Sequence, residues 1–430
     1  MNNKLNLLKL GHSGFSDIYR GSEKRRFGDS SKIDQFLTIW ILLKRYKYYQ
    51  DLIKWKFSLL SKFNFTLKIE KKRQLFIVLA FFKNRLLKLV QKLENFKSFQ
   101  ISTLFMFGNL VHNTCIFSQT ELNMRIENSF GSIQKKKTIL FNHFNLLRKI
   151  NAVDYKRGVF VAGNRGYFLK NGGVLLNYSI IRYGLDFLSK KKYIGLQTPY
   201  FMKSKLLKKC TQLSDFSEQL YNVGNSNNKF LIATSEQPLT AFHYGEQIPF
   251  SKLPIRYSGF STCFRKEGGS HGKDTSGIFR VHQFEKVEQF IITKSETYSW
   301  KLFEEMLENS RIFYHSLNIP FNLITIPSGS INLSASKKID IVGFFPASRT
   351  FRELVSCSNC TTHQSKKLNI EFKTNCKSRQ NVYVTMLNST LCATTRLICC
   401  ICENFQNKHG LKIPTALRSY TGISFFPFYN

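Results

Sequence analysis

Between Arg256 and Phe290 the chain reads RYSGFSTCFRKEGGSHGKDTSGIFRVHQFEKVEQF, a stretch rich in residue types that handle a charged, flat ligand. Two strand-like runs flank a polar, glycine-rich loop, and the first run ends in Cys263-Phe264-Arg265. In the second, Ile278 to Ile292, strand periodicity puts Arg280, His282, Phe284, Lys286, Glu288 and Phe290 on one face. A half-buried strand ordinarily places aliphatic residues on such a face and leaves its charges to solvent. The plain reading is therefore the solvated face of an antiparallel hairpin. The chemical reading is a ligand site: Arg for a polyanion, Phe to stack on a flat ring, Glu for an amine or hydroxyl.

Other elements must position these groups. Lys229 to Ala233 reads as a short strand and Pro238 as the first turn of a helix, which leaves Thr234-Ser235-Glu236 at the junction. Ser and Thr there cap free amides, but a cap does not require Glu236. From Glu296 to Leu317 the pattern predicts a structural helix, with Thr293 and Glu296 as its capping box and Pro320 beyond it. Leu176 to Lys191 predicts another, with Leu176, Ile180, Tyr183, Leu185 and Leu188 at helical spacing, followed by a strand-like run over Ile194 to Pro199. Residues 116–150 are polar and lysine-rich and read as a connecting segment.

The stretch CFRKEGGSHGKDTSGIFRVHQFEKVEQF closely resembles motif 2 of seryl-tRNA synthetases, class II aminoacyl-tRNA synthetases, and their eukaryotic cytosolic type in particular. Thr234-Ser235-Glu236-Gln237-Pro238 agrees, as do the block beginning FRELVSCSNC at Phe351 and the block LNSTLCATTR ending at Arg396. The resemblance runs from about Phe107 to Phe428, with fainter similarity from Ile18-Tyr19-Arg20.

It implies an α+β fold: an antiparallel sheet flanked by helices, preceded by a helical, hairpin-like tRNA-binding arm. The implied division is an arm over 1–105 and a catalytic domain over 106–430. The implied activity joins serine to ATP as seryl-adenylate and then transfers it to the 3′ end of serine tRNA, with Mg2+ as cofactor. The nucleotide would lie against Arg265, Lys266, Glu267, Val281, His282, Gln283, Phe284, Glu353, Leu354, Val355, Ser356 and Arg396. Among these Arg265, Glu267 and Arg396 would be catalytic, while Glu353 and Ser356 would take magnesium. Serine would be held by Thr234, Ser235, Glu236, Arg265, Glu288, Asn388 and Thr390. His271 and Lys273 would meet the tRNA acceptor end, and the 176–199 region would build a homodimer interface. One departure stands out, Val342-Gly343-Phe344 where the family usually carries Glu-Ala-Trp.

Composition supports an acidic partner. Lys and Arg number 64 against 27 Asp and Glu, a formal net charge of +37, which points to nucleic acid. The 41 Phe and abundant Lys, Asn and Ile also fit an AT-rich genome, so part of the charge reflects codon usage. Residues 1–100 hold 22 basic against 7 acidic side chains. Within them, helices are predicted over Ile33 to Lys62 and Glu70 to Lys97, broken at Asn64-Phe65-Thr66, without clean charged heptads. The apolar runs Phe36 to Leu43 and Leu75 to Phe82 fall well short of the ~20 residues that span a bilayer, and the amino terminus lacks an apolar signal core. No membrane association is expected. Ten Cys without a secretory signal read as reduced thiols. Cys357-x-x-Cys360 alone does not make a zinc site, which needs a second suitably placed pair, so no zinc is expected. The expected location is the cytoplasm, or the cytosol of a reduced, AT-rich-genome compartment. Two alternatives stay open on residues alone: a catalytically inactive synthetase paralogue that binds RNA, and a generic basic RNA-binding protein on a synthetase scaffold.

Overall fold

The computed structural model describes residues 13–63, 69–133, 140–211, 219–224, 228–268, 276–373 and 382–429. It forms two compact units, Met1–Leu110 and Val111–Asn430.

In the first unit three helices, α1 (Ser13–Arg25), α2 (Ser31–Phe63) and α3 (Ile69–Phe105), carry the basic sequence. Ile33 and Phe36 of α2 pack on Phe107, and the Tyr46 ring stacks 5.4 Å from Phe96. Advancing along α2 thus means retreating along α3, so the two run antiparallel. The expected break at 64–66 lies outside the described residues. Helix α3 continues eight residues past the predicted Lys97. Ser98 and Thr103 fit there because their hydroxyls bond back to the carbonyls of Asn95 and Phe99, which satisfies them inside a helix. The base is tied by buried polar contacts. Glu23 accepts from the Gly108 amide at 2.9 Å, and Arg26 donates to the Asn109 carbonyl at 2.9 Å. Residues 106–110 therefore pack with the helices. Apolar residues ring the hairpin rather than lining one seam: Trp55, Phe76, Ile77 and Phe81 are all exposed.

The second unit is built on an eight-stranded sheet. In chain order its strands are β1 (Arg125–Phe130), β2 (Ile194–Gln197), β3 (Ile255–Phe264), β4 (Gln283–Thr293), β5 (Phe321–Thr325), β6 (Lys337–Phe345), β7 (Thr350–Thr361) and β8 (Thr385–Ala393). The spatial order is β1-β5-β6-β7-β8-β4-β3-β2. Every neighbouring pair is antiparallel except the edge pair β2–β3. Helices α4 (Gly172–Lys190), α5 (Glu296–Ser316) and α6 (Thr394–Phe405) cover one face. Leu176, Phe303, Met306, Phe313, Leu397 and Ile401 pack there against Val287, Ile291 and Leu391. The alternate residues Phe290, Ile292 and Met386 face a second core with Met202, Leu207 and Phe230. A sheet covered on both sides reads as near-continuous apolar runs, and each such buried side chain contributes ~1.5–3 kcal/mol.

Two local expectations are corrected. Strand β4 begins at Gln283, not Ile278, because residues 276–282 bend after Gly277, whose φ is +86°. Arg280 and His282 therefore precede the strand. Helix α5 is capped by Ser295, whose side chain accepts from the Tyr298 amide, rather than by Thr293, which is fully buried in β4.

Candidate active site

Four elements converge at the carboxyl end of β3: the residues that follow it, the start of β4, the middle of β7 and the amino end of α6. They line a cleft with Arg265, Glu267, Phe284, Lys286, Glu353 and Arg396, and Val281, Leu354 and Thr390 complete its wall.

Arg265 is held at its backbone and its side chain. Its amide donates to the His282 carbonyl at 2.9 Å. His282 Nδ1 lies 2.9 Å from the Arg265 carbonyl, which can only accept, so Nδ1 carries the proton. Arg265 Nε donates to the Ala233 carbonyl, and its guanidinium stands 5.3 Å from the Phe284 ring centre. Across the cleft, Arg396 on the first turn of α6 donates to the Glu353 carbonyl at 3.1 Å, with Glu353 Oε1 at 3.4 Å. The Arg396 guanidinium lies 5.1 Å from the Phe279 ring centre. Two fixed guanidiniums thus face one cleft beside an aromatic ring, an arrangement that suits a polyphosphate carried on a flat base. Glu267 Oε2 lies 3.1 Å from Arg280 Nε.

Glu353 stays ionised. Burial would raise its pKa, but Arg396, Lys338 and Arg265 draw it below the ordinary carboxylate value. Its neighbour Asp340 moves the other way. Burial pushes it up to about 7, Lys338 opposes that, and the Glu353 charge adds to it. Lys338 lies 3.1 Å from Asp340 Oδ2, while Oδ1 is buried without a hydrogen-bond partner. Ser356 is the register partner of Asp340 across β6–β7. The carboxylates of Glu353 and Asp340 and the Ser356 hydroxyl are hard oxygen donors of the kind a magnesium ion takes.

The other half of the site is a buried carboxylate pair. Glu288 is 4% exposed. It accepts from the hydroxyls of Thr234 (2.7 Å) and Ser235 and from the Glu236 amide (3.0 Å), with Lys286 Nζ at 2.7 Å. Burial would raise its pKa, but the Lys286 ammonium and these hydroxyls outweigh it and hold Glu288 below the ordinary value. Glu236 has the opposite fate. Burial and the Glu288 charge push it up to about 7, against hydrogen bonds from Gln364 and Asn388 and the Lys286 charge. Gln364 Nε2 donates to Glu236 at 3.1 Å. Thr390 faces Glu288 across the β8–β4 register.

Most of the expected residues therefore gather. Thr234, Ser235, Glu236, Glu288, Asn388 and Thr390 form one end, and Arg265, Glu267, Phe284, Glu353 and Arg396 the other. Some do not present their side chains to the cleft. Lys266 lies over the Tyr221 ring, the His282 ring meets Tyr221 edge-on, and Gln283 is exposed. Val355 is fully buried in the core. His271 and Lys273 lie outside the described residues. Val342-Gly343-Phe344 sits in packing rather than in the cleft wall. A Cβ at Gly343 would come 2.4 Å from Leu354 Cδ1, and Phe344 packs on Phe351 at 5.2 Å between ring centres. The described cysteines are buried, and Cys357, Cys392 and Cys400 belong to the core. Sequence reasoning missed Asp340 and Gln364 and gave Lys286 no role. For Lys286 the signal was present, since it stands two residues from Glu288 on one strand face.

Known proteins resemble this chain in sequence and fold. The tRNA synthetase class II core domain (G, H, P, S and T) matches residues 221–405. The cytoplasmic serine–tRNA ligase of Arabidopsis thaliana is 42% identical over 434 residues, spanning 99% of this chain and 96% of the relative. That of Saccharomyces cerevisiae is 40% identical over 97% of this chain and 94% of the relative. Among solved structures, the cytoplasmic serine–tRNA ligase of Naegleria fowleri in complex with AMP superposes with a TM-score of 0.88 at 38% identity, covering 98% of both chains. Seryl-tRNA synthetase of Pyrococcus horikoshii complexed with ATP gives 0.90 at 29% identity, covering 98% of this chain and 99% of the other. With likeness at this level along nearly the whole length, the chain belongs to the seryl-tRNA synthetases, within the class II aminoacyl-tRNA synthetases.

Proposed function

We propose that this chain activates L-serine with ATP and passes the seryl group to serine tRNA. The observation that carries the reading is the junction of two complementary halves at Lys286, which lines the cleft and pairs with Glu288: Arg265 beside Phe284 and Arg396 beside Phe279 on one side, and the Glu288–Glu236 carboxylate pair on the other. A serine carboxylate oxygen attacks the α-phosphorus, the bond to the β-phosphate bridge breaks, and pyrophosphate leaves. Such a step is catalysed mainly by positioning and charge neutralisation. Arg265 takes the α-phosphate, Arg396 the γ-phosphate, Phe284 the adenine face, and Glu267 orients the nucleotide. Glu288 and Glu236, with Thr234, Ser235, Asn388 and Thr390, take the serine ammonium and hydroxyl. Glu353 and Ser356, with Asp340 beside them, would hold Mg2+, which would supply positive charge to offset that of the phosphates. In the second step the terminal tRNA hydroxyl attacks the adenylate carbonyl and AMP departs. The loop carrying His271 and Lys273 is the proposed contact for that acceptor end.

The antiparallel pair α2–α3 is the proposed tRNA arm, supported by its basic composition. A homodimer through the α4–β2 region is proposed on the exposed apolar residues Leu175, Tyr178 and Ile194. No described helix is long and apolar enough to cross a membrane. The relatives' cytoplasmic names support a cytoplasmic site of action. Purified protein should show serine-dependent ATP–pyrophosphate exchange and should charge serine tRNA. Tight tRNA binding with no exchange would instead favour an inactive paralogue.

A further inference from the structure

The sequence Gly163-Asn164-Arg165-Gly166-Tyr167 has no part in the chemistry above, yet it reaches both ends of the motif 2 hairpin. Arg165 is a non-glycine residue in the left-handed region, with φ at +62°, and its side chain is only 6% exposed. Its Nη1 lies 3.8 Å from Oε2 of Glu267, the oxygen that Arg280 also approaches. Glu267 is itself left-handed, at φ +54°. Two residues held in this region must be fixed by their surroundings, and such outliers concentrate where geometry matters for function. Two positions further, the Tyr167 hydroxyl donates at 3.0 Å to the backbone carbonyl of Gln283, the first residue of β4. The loop is pressed onto the helix Tyr155–Ala162, where glycines allow backbone contact. A Cβ on Gly166 would stand 2.3 Å from the Gly158 carbonyl oxygen, and one on Gly158 would stand 2.3 Å from Tyr167 Cα.

We propose that this loop is a positioning element for ATP: Arg165 fixes the Glu267 carboxylate between two guanidiniums, while Tyr167 fixes the start of β4, so that Glu267 and Phe284 are set for the nucleotide. The inference rests on the proposed adenylation reaction and concerns its ATP half alone. Arg165 and Tyr167 touch no substrate and act through Glu267 and the β4 backbone. Removing Arg165 leaves Glu267 to follow Arg280, whose side chain is 29% exposed and correspondingly less constrained.

The test is pyrophosphate exchange on the full chain, with KM measured separately for ATP and serine. Arg165→Ala should raise the ATP KM about tenfold, as expected for loss of a buried ion-pair partner of Glu267, with serine KM within about twofold of wild type. Arg165→Lys should recover part of the loss. Tyr167→Phe, which keeps the ring and removes one hydrogen bond, should raise ATP KM by roughly 2–10-fold. Glu267→Gln with Arg165→Ala should be no worse than Glu267→Gln alone, because both changes remove one contact. Should Arg165→Ala fail to fold, Arg165→Lys and Tyr167→Phe carry the test. Equal effects on ATP and serine, independent losses in the double variant, or unchanged ATP KM in Arg165→Ala and Tyr167→Phe would overturn the inference. A wild type without serine-dependent exchange would instead overturn the proposed function.

Discussion

If Glu236 and Glu288 hold serine as proposed, serine recognition should depend on pH in a definite direction. Glu236 is pushed up to about 7 by burial and by Glu288, with Lys286, Gln364 and Asn388 opposing. The Cys210 thiol also faces it, and burial keeps that group neutral. Because the folded pKa lies above the ordinary 4.5, the folded chain holds this proton up to about pH 7. The group's contribution to stability therefore falls as pH rises through the window from 4.5 to about 7. Serine affinity should move the other way, because an incoming ammonium favours the ionised carboxylate and displaces the proton. With a pKa of about 7, Glu236 is about one-tenth ionised near pH 6 and about nine-tenths near pH 8, so serine KM should be about tenfold higher at the lower pH. Glu288 does not share this window. Its pKa is lowered, and its contribution is present above 4.5 and lost only as pH falls through its folded value. The assay is exchange at saturating ATP across that range, with calorimetry in buffers of different ionisation heat to count the proton released. Asp340 also sits at about 7, but it faces Lys338 and Glu353, so in the proposed reaction its titration would bear on ATP rather than serine. Glu236→Gln isolates the cause and should give a high serine KM that is flat with pH. A serine KM already flat in the wild type, or a tenfold slope that survives in Glu236→Gln, would refute the argument.

Four further outcomes are expected. Arg265→Ala should lower adenylation by on the order of 10²–10³, the cost of one preorganised charge contact, while thermal unfolding stays near wild type. Wild-type exchange in that variant would remove Arg265 from the chemistry. Alanine should be activated roughly 10⁴–10⁵ less well than serine, since it leaves the hydroxyl's partners unpaired. In parallel Glu288→Ala should cost about 3–5 kcal/mol of stability by stranding the buried Lys286 charge, read by denaturant unfolding. Reversing the exposed arm charges Lys83, Arg85 and Lys88 to Glu should weaken tRNA binding and make its log–log salt slope shallower by about 2–3, with exchange unchanged. An unaltered salt slope would mean that the arm's basicity reflects codon usage rather than tRNA contact.

The sequence carried the parts of the fold that repeat with a regular period and missed those set by a single contact. Helix α5 and strand β4 were legible because Phe303, Met306 and Phe313, or Val287 and Ile291, recur at the spacing their element imposes. The start of β4 was misplaced because the alternation in sequence continues through Arg280 and His282. The bend after Gly277 removes both from the strand while His282 still bonds Arg265. The α5 cap was assigned to Thr293 because pattern reading cannot tell which hydroxyl is already buried in the sheet, and Ser295 is the one left free to turn back. Helix α3 runs on past Lys97 because the Ser98 and Thr103 hydroxyls bond within the helix, which composition alone does not show.

The active site was legible in type but not in pairing, and the reason lies in how a strand lays out its ligands. On β4 the residues Glu288, Lys286 and Phe284 share one face at intervals of about 6.8 Å, two residues of rise each. Read along that face they present an anion, a cation and an aromatic ring. In the proposed reaction the substrates present the matching sequence: the serine ammonium, the carboxylate meeting the α-phosphate, and adenine. Chain order and substrate order coincide, which is why a few letters of sequence could point to the chemistry at all. The balance of charge is set across the strand instead. Glu236 comes from a different strand end, its partner Gln364 lies 128 residues away, and Asp340 answers Glu353 from β6. Two buried carboxylates with only Lys286 between them leave one negative charge unmatched at the serine end. In the proposed site that surplus would favour an ammonium, and it exists only once the sheet has brought distant residues together.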